Sequence, residues 1–198
     1  MPSIAPNQIT VPVINRTPPP HAHWSDDYED EVQNTTYTKV AEDLQVLSQW
    51  GHDHNQFVLA HESGTNKLTV QSRNNQVALQ KWAAYSRDGT NSGSFVLRNR
   101  ESGLYISVDR RPNFIRAVNF GGSPKLEEPW KVVTLTGIRD ECIFSCPKIG
   151  DDFGRITNGE GFLNVSGGGG YYYGQPIIMY PWRGGKQNMR WQIRAFDY

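Results

Sequence analysis

The chain has 198 residues, with 20 basic side chains balanced by 20 acidic ones and 37% apolar residues. A formal net charge of zero leaves no global pull toward nucleic acid or an anionic membrane, and no run approaches the roughly 18 apolar residues of a spanning helix. Nineteen glycines, 12% aromatic residues and few helix-period stretches point to an all-β domain.

Residues 1–36 read as a flexible tail, followed by one domain over 37–198. MPSIAPNQITVPV has no basic segment leading into a continuous apolar core, so a secretory signal is not expected and a cytoplasmic location is. Pro18, Pro19 and Pro20 make a stiff non-sheet run. The acidic stretch after them has too little apolar surface to offset its ordering entropy. His21 and His23 within it read as solvated side chains, not metal ligands. Over 37–50 the pattern is ambiguous: Val40, Leu44 and Leu47 suit a helix, while Leu44, Val46 and Ser48 suit a strand. A strand from about Leu44 is the reading the rest of the chain requires.

Short alternating strands then follow, separated by Gly, Asn, Asp and Ser turns. They are expected at Phe57 to Ala60, Leu68 to Gln71, Val77 to Tyr85, Phe95 to Arg98, Leu104 to Val108 and Phe114 to Phe120. The remainder are Trp130 to Thr134, Ile143 to Ser145, Phe162 to Val165, Ile177 to Trp182 and Trp191 to Arg194. Cys142 and Cys146 are four apart; in an extended chain rising about 3.3 Å per residue they cannot bridge, so two free thiols are expected.

Three tryptophans organise these strands into repeats. QKW ends at Trp82, EPW at Trp130 and MRW at Trp191, and each opens a fourth strand. Third strands start 14, 15 and 14 residues earlier, at Leu68, Ile115 and Ile177. Second strands hold Leu59, Leu104 and Leu163, at separations of 23, 26 and 28. Three units of four strands, about 37–88, 89–138 and 139–198, predict a β-trefoil: six strands closed as a barrel and three hairpins capping one end. Trp82, Trp130 and Trp191 are then scaffold in a shared core.

The Trp-anchored triple repeat ending in NMRWQI resembles the ricin-B type of lectin, whose units close on an Asn-Gln-x-Trp signature, the Q-x-W repeat. SFVLRNRESGLYISV, LNVSGG and QPIIMYPWRGGKQNMRWQI look most like the Euonymus-type lectin domain, over about residues 40–198. That resemblance implies a non-enzymatic, nucleocytoplasmic protein that binds glycans or glycoproteins of mannose or galactose type. It also implies a pocket per unit, built from an acidic residue ending the second strand, an aromatic ending the third, and an Asn and a Gln before the Trp. In the third unit those places hold Asn164, Tyr180, Asn188 and Met189, so Asn replaces the acid and Met the Gln. The first unit offers Ala60 and Gln71 and the second Ser107, Val118 and Glu127 or Glu128, with no aromatic platform, which reads as one working site and two blunted ones.

The chemistry of a pyranose suits the third unit. Its apolar C–H face needs a ring and its rim hydroxyls need short polar groups. Tyr180 or Trp182 supplies the ring, two residues apart on one strand face, and Asn164 and Asn188 supply the amides. Tyr172 and Tyr173, after four glycines, read as an aromatic flap over ligand or partner. No catalytic motif or cofactor signature is present: His52, Asp53 and His54 with His61 mimic a metal cluster but lack a clear fourth ligand, His52 and His54 reading as a turn, and Arg110, Arg111 and Arg116 read as a solvated face. The rival reading is a β-trefoil interaction module such as a protease inhibitor, since fold alone does not decide function.

Overall fold

A computed structural model describes residues 8–16, 30–50, 57–74, 77–87, 89, 94–108, 115–118, 130–134, 142–146, 161–167, 172–180 and 186–195. These are strands and turns. In chain order the strands are β1 (Gln8–Arg16), β2 (Asp30–Ser48), β3 (Phe57–His61), β4 (Leu68–Ser72), β5 (Trp82–Ser86), β6 (Ser94–Asn99) and β7 (Tyr105–Val108). They continue as β8 (Ile115–Val118), β9 (Trp130–Thr134), β10 (Cys142–Cys146), β11 (Gly161–Val165), β12 (Ile177–Tyr180) and β13 (Trp191–Ala195). Two 3-10 turns, Ala78–Gln80 and Gln187–Met189, sit just before Trp82 and Trp191, so the strand expected from Val77 begins instead at Trp82.

The antiparallel pairings close a ring: β2 with β5, β5 with β6, β6 with β9, β9 with β10, β10 with β13, and β13 back to β2. Six strands therefore make a barrel without an open edge. Hairpins β3–β4, β7–β8 and β11–β12 hang from it. The third strands β4, β8 and β12 each touch the other two, as a threefold cap requires. This is a β-trefoil of three four-stranded repeats.

Register shows the pseudo-symmetry residue by residue. First and second strands meet at Leu47↔Val58, Arg98↔Tyr105 and Ser145↔Phe162. Each tryptophan then faces the matching residue of its own first strand: Leu44↔Trp82, Phe95↔Trp130 and Cys142↔Trp191. The same register corrects one position. Leu104 lies just before β7, and the residue matching Leu59 and Leu163 is Ile106, 24 positions before Trp130. Ile106 is in the central core with Leu59 and Leu163, whereas Leu104 only packs against it. Alternation explains the swap, since a strand shifted by two keeps the same face. Cys142 and Cys146 are the two ends of extended β10, which keeps their Cα atoms beyond disulfide reach.

The core is held by apolar burial and a repeated polar tie. Trp82 and Trp191 are fully buried. The Trp82 indole Nε1–H donates to the Leu59 carbonyl at 3.1 Å, and Trp191 Nε1–H to the Leu163 carbonyl at 3.0 Å. An indole N–H needs a partner when buried, and here the fourth strand finds it on the second strand of its own unit.

Part of the segment expected as a tail is strand. β1 pairs with β2 from Gln8↔Thr38 to Arg16↔Asp30. Ile9 packs against a second cluster, Tyr37, Ala83, Tyr85, Val96 and Tyr105. The β-branched residues Ile9, Thr10, Val11, Val13 and Ile14 supply the strand, and among the described residues β1 pairs with β2 alone, so Pro12 costs no ladder bond to a further strand. His21, His23, His52 and His54 lie outside the described residues. β2 changes course at Asp43, whose φ of 51° lies between the register shifts at Ala41 and Leu44. Arg100 of the next repeat pairs with Glu42 and, at 3.3 Å, with Asp43.

Trp191→Phe removes the indole donor and orphans the Leu163 carbonyl, so denaturant unfolding should show a loss of about 1–3 kcal/mol. Ile9→Asp places a charge on the tyrosine cluster; the same measurement should show a loss of about 1–2 kcal/mol, with the trefoil still folded. Burial, above all, raises the Tyr105 phenol above its ordinary value near 10, with Arg98 opposing and Tyr85 adding. The folded state thus holds that proton while the unfolded chain releases it, so stability is intact below pH 10 and falls as pH rises beyond it. Unfolding curves from pH 9 to 11 should show this decline, shallower in Tyr105→Phe.

Candidate functional site

The third hairpin positions the residues singled out in the sequence. β11 and β12 pair as Phe162↔Tyr180, Leu163↔Met179, Asn164↔Ile178 and Val165↔Ile177. Leu163, Val165 and Ile177 point into the core. Strand alternation therefore puts Asn164 and Tyr180 together on the opposite, outer face. They are diagonal neighbours, about 7–8 Å apart between backbones in such a pair. Asn164 is buried and Tyr180 half-buried.

Asn188 arrives from the 3-10 turn Gln187–Met189, whose Met189 is buried and anchors the turn. Its Nδ2 donates to Asn164 Oδ1 at 2.8 Å and to the Val165 carbonyl at 3.2 Å. The two amides expected to meet a ligand thus meet each other. Both Asn188 donors are engaged by the hairpin. What this pair leaves for a ligand is the Asn188 carbonyl oxygen as acceptor and the Asn164 amide as donor. Gly167 makes room, because a Cβ there would lie 3.1 Å from Asn188 Nδ2. Trp182 lies outside the described residues.

Tyr172 and Tyr173 are exposed, at 54% and 48%. The Tyr173 ring lies 4.9 Å from that of Phe57, tilted by 41°, and Phe57 in turn lies 6.2 Å from Trp50. Neither tyrosine hydrogen-bonds to Asn164 or Asn188 among the described residues. The loop's end is tied to the first repeat: Gly174 N–H donates to the Val70 carbonyl at 2.7 Å, and Val70 N–H to the Gln175 carbonyl at 3.0 Å. Gly174 holds φ +84°, which an L side chain rarely adopts. Gln175, which sequence reading passed over, is buried and closes the loop's neck through Nε2–H to the Ser166 carbonyl at 2.8 Å. A glutamine directly before Pro176 and a β-branched pair was the one available signal.

The matching place in the first repeat is more open than Ala60 and Gln71 suggested. A cavity of about 860 Å³ lies there, lined among others by Ala60, His61, Gln71, Arg73 and Gln80. Gln80, the Gln of QKW, is buried; its Oε1 accepts from Asn74 N–H at 2.8 Å and its Nε2 donates to the Ser72 carbonyl at 2.8 Å. In that repeat the Gln before the Trp is a wall brace. The side chains of Ser107 and Val118 in the second repeat lie outside those described.

No family model and no curated protein matches the chain. Solved structures do. A designed threefold-symmetric protein, ThreeFoil, is 16% identical, with a TM-score of 0.56 over 78% of this chain and 98% of its own. A Macrolepiota procera ricin B-like lectin, solved in complex with lactose, is 17% identical, with a TM-score of 0.55 over 80% of this chain and 99% of its own. A mosquitocidal holotoxin is 16% identical, with a TM-score of 0.58 over 80% of this chain but only 17% of its own. At these identities the likeness establishes what the strand pairing had already shown: the chain folds as a β-trefoil.

Proposed function

We propose that this chain is a non-enzymatic carbohydrate-binding protein whose glycan site is the outer face of the third hairpin. The observation that carries the reading is the Asn188–Asn164 hydrogen bond set diagonally to Tyr180 on one strand face. A ring for the C–H face of a pyranose, beside one acceptor and one donor for neighbouring hydroxyls, is the minimum set for sugar recognition. A structural neighbour that binds lactose on the same fold supports the class.

Within this proposal the ligand is a mannose- or galactose-type glycan, and the chain is a nucleocytoplasmic lectin of the Euonymus type. Tyr180 carries the stacking, with Trp182, two residues on in the sequence, as the alternative ring. Without a carboxylate at position 164 the site lacks a charge-assisted acceptor. A monosaccharide then binds with Kd on the order of 0.1–1 mM, about −4 to −5.5 kcal/mol. Useful avidity comes from multivalent glycans.

Glycan-array screening followed by calorimetric titration with lactose and methyl mannoside tests this. Asn188→Ala and Tyr180→Ala should each weaken binding at least about 10-fold, while Tyr180→Phe, which keeps the ring, should stay within about 3-fold. A protein that ignores every glycan yet inhibits a protease would show that the fold serves as an interaction module instead.

A further inference from the structure

We propose that β1 is a docking edge for a second copy of this chain, so that two trefoils join through their first strands into one antiparallel sheet. The inference does not rest on the third-hairpin reading, because no residue of that site takes part.

Topology is the first argument. At Thr38 the strand β2 is paired on both sides, with Gln8 of β1 on one and Ser86 of β5 on the other. Upstream of Thr38, β1 and β2 run on together as far as Arg16↔Asp30, while β5 has ended at Ser86. Among the described residues, 30–37 of β2 pair with β1 alone and β1 pairs with β2 alone. This two-stranded arm continues past the barrel for about 25 Å, at a rise of about 3.3 Å per residue. Its root is packed, through Ile9 and Tyr37 against Tyr85, Val96 and Tyr105. Beyond the root it is a bare ribbon, and two strands alone are marginally stable in water. A third strand along β1 is what such an arm lacks.

The make-up of the edge is the second. Soluble proteins guard exposed strand edges with lysine, inward-pointing charge, bulges or proline. β1 carries little of this. Its nine pairs with β2 run without a register shift, so no bulge turns the edge away. QITVPVINR has no Lys, Asp or Glu, and its one charged residue, Arg16, comes last. Pro12 is the single guard, and it takes at most one N–H from the edge. Ile9, Thr10, Val11, Val13 and Ile14 favour extended pairing. A long, plain edge of this kind is a template for another strand.

Self-complementarity is the third, and it selects the partner. Two β1 strands meeting antiparallel about a twofold axis make each contact twice and close the assembly at two copies. Antiparallel pairing sends the Arg16 end of one strand to the Gln8 end of the other, so no like charges are opposed. It sets the uncharged run of Thr10 to Ile14 against the same run of the second copy. A strongly charged peptide would find nothing along that run to answer its charge. The opposite edge of the arm suits a copy less well, since it opens on Asp30 and Glu31 and stops where β5 begins. In the joined form each arm gains its third strand, and one particle carries two third-hairpin faces, the arrangement that raises avidity for a multivalent ligand.

The test is sedimentation velocity and amide hydrogen exchange on the whole chain, without glycan, over a concentration series from about 5 to 500 µM. A monomer–dimer equilibrium should appear, and alternate amides of Gln8–Arg16 should exchange at least about 10-fold more slowly as the dimer forms. Thr10→Lys combined with Ile14→Lys changes positions of the other parity from Ile9, so the tyrosine cluster is left alone. It sets like charges opposite or diagonal to one another between the copies and should weaken the dimer at least about 10-fold. Thr10→Glu combined with Ile14→Glu should do the same, and mixing the two double variants should restore association as a heterodimer. A chain that stays monomeric throughout the series, or association that runs past two copies, would overturn the proposal. So would a dimer whose β1 amides exchange as in the monomer, undiminished pairing of the folded lysine variant, or no heterodimer on mixing.

Discussion

Everything in this molecule is referenced to one hydrogen bond made in the dark. The indole of the fourth strand reaches across its unit and donates to a leucine carbonyl on the second strand, at Trp82 to Leu59 and again at Trp191 to Leu163. A buried N–H and a buried C=O each cost about 1–3 kcal/mol if left alone, so the pairing selects one depth and one rotation for the tryptophan. With the tryptophan fixed, the 3-10 turn just before it is fixed too. Asn188 is on that turn in the third repeat and Gln80 on it in the first. The scaffold bond therefore sets the position of the polar groups at the rims of the first and third repeats.

The two repeats use this geometry in different ways. In the first, the turn contributes a glutamine that ties strand end to loop, and the cavity wall stays polar and charged. In the third, the glutamine's place is taken by buried Met189, and the asparagine before it becomes the polar group, bound to Asn164. One backbone thus offers an amide-and-ring surface at one hairpin and an arginine-lined hollow at another. Divergence of this kind is open to a repeat fold, because each unit needs its neighbours for burial but not for the chemistry at its rim.

Much of this was legible in the sequence because tryptophans are few and their register is strict. Spacing alone placed Leu68, Ile115 and Ile177 as equivalent starts of the third strands, and the hairpin registers agree. Period-two alternation, a local property, put Tyr180 and Trp182 on one strand face, while Asn164 came beside Tyr180 through the family resemblance. Position 104 was misassigned because alternation cannot distinguish a leucine from an isoleucine two residues on. The β1 strand was hidden because what holds it, Ile9 against Tyr37, Tyr85, Val96 and Tyr105, is assembled from three separate stretches of chain. Arg73 was hidden likewise, since its orientation comes from Gln45, 28 residues away. The direct bond between Asn164 and Asn188 spans 24 residues, and sequence placed both at one rim without showing that each would occupy the other.

The barrel seam has a consequence for how the chain is made. Leu44–Ser48 pairs with Trp191–Ala195, so the first strand of the barrel waits for its last before its outer ladder is complete. At about 5–20 residues per second that wait is on the order of 10–30 seconds. During it, a run containing Val46 and Leu47 has backbone donors and acceptors open along one side. Its other side meets β3 at Leu47↔Val58, while upstream Trp82–Ser86 runs along Thr38 to Leu44 and Gln8–Arg16 along Asp30 to Thr38. Those early contacts leave only the short stretch at the seam exposed to wrong partners, and they make a nascent chain halted before Trp191 the form of this protein most prone to aggregate.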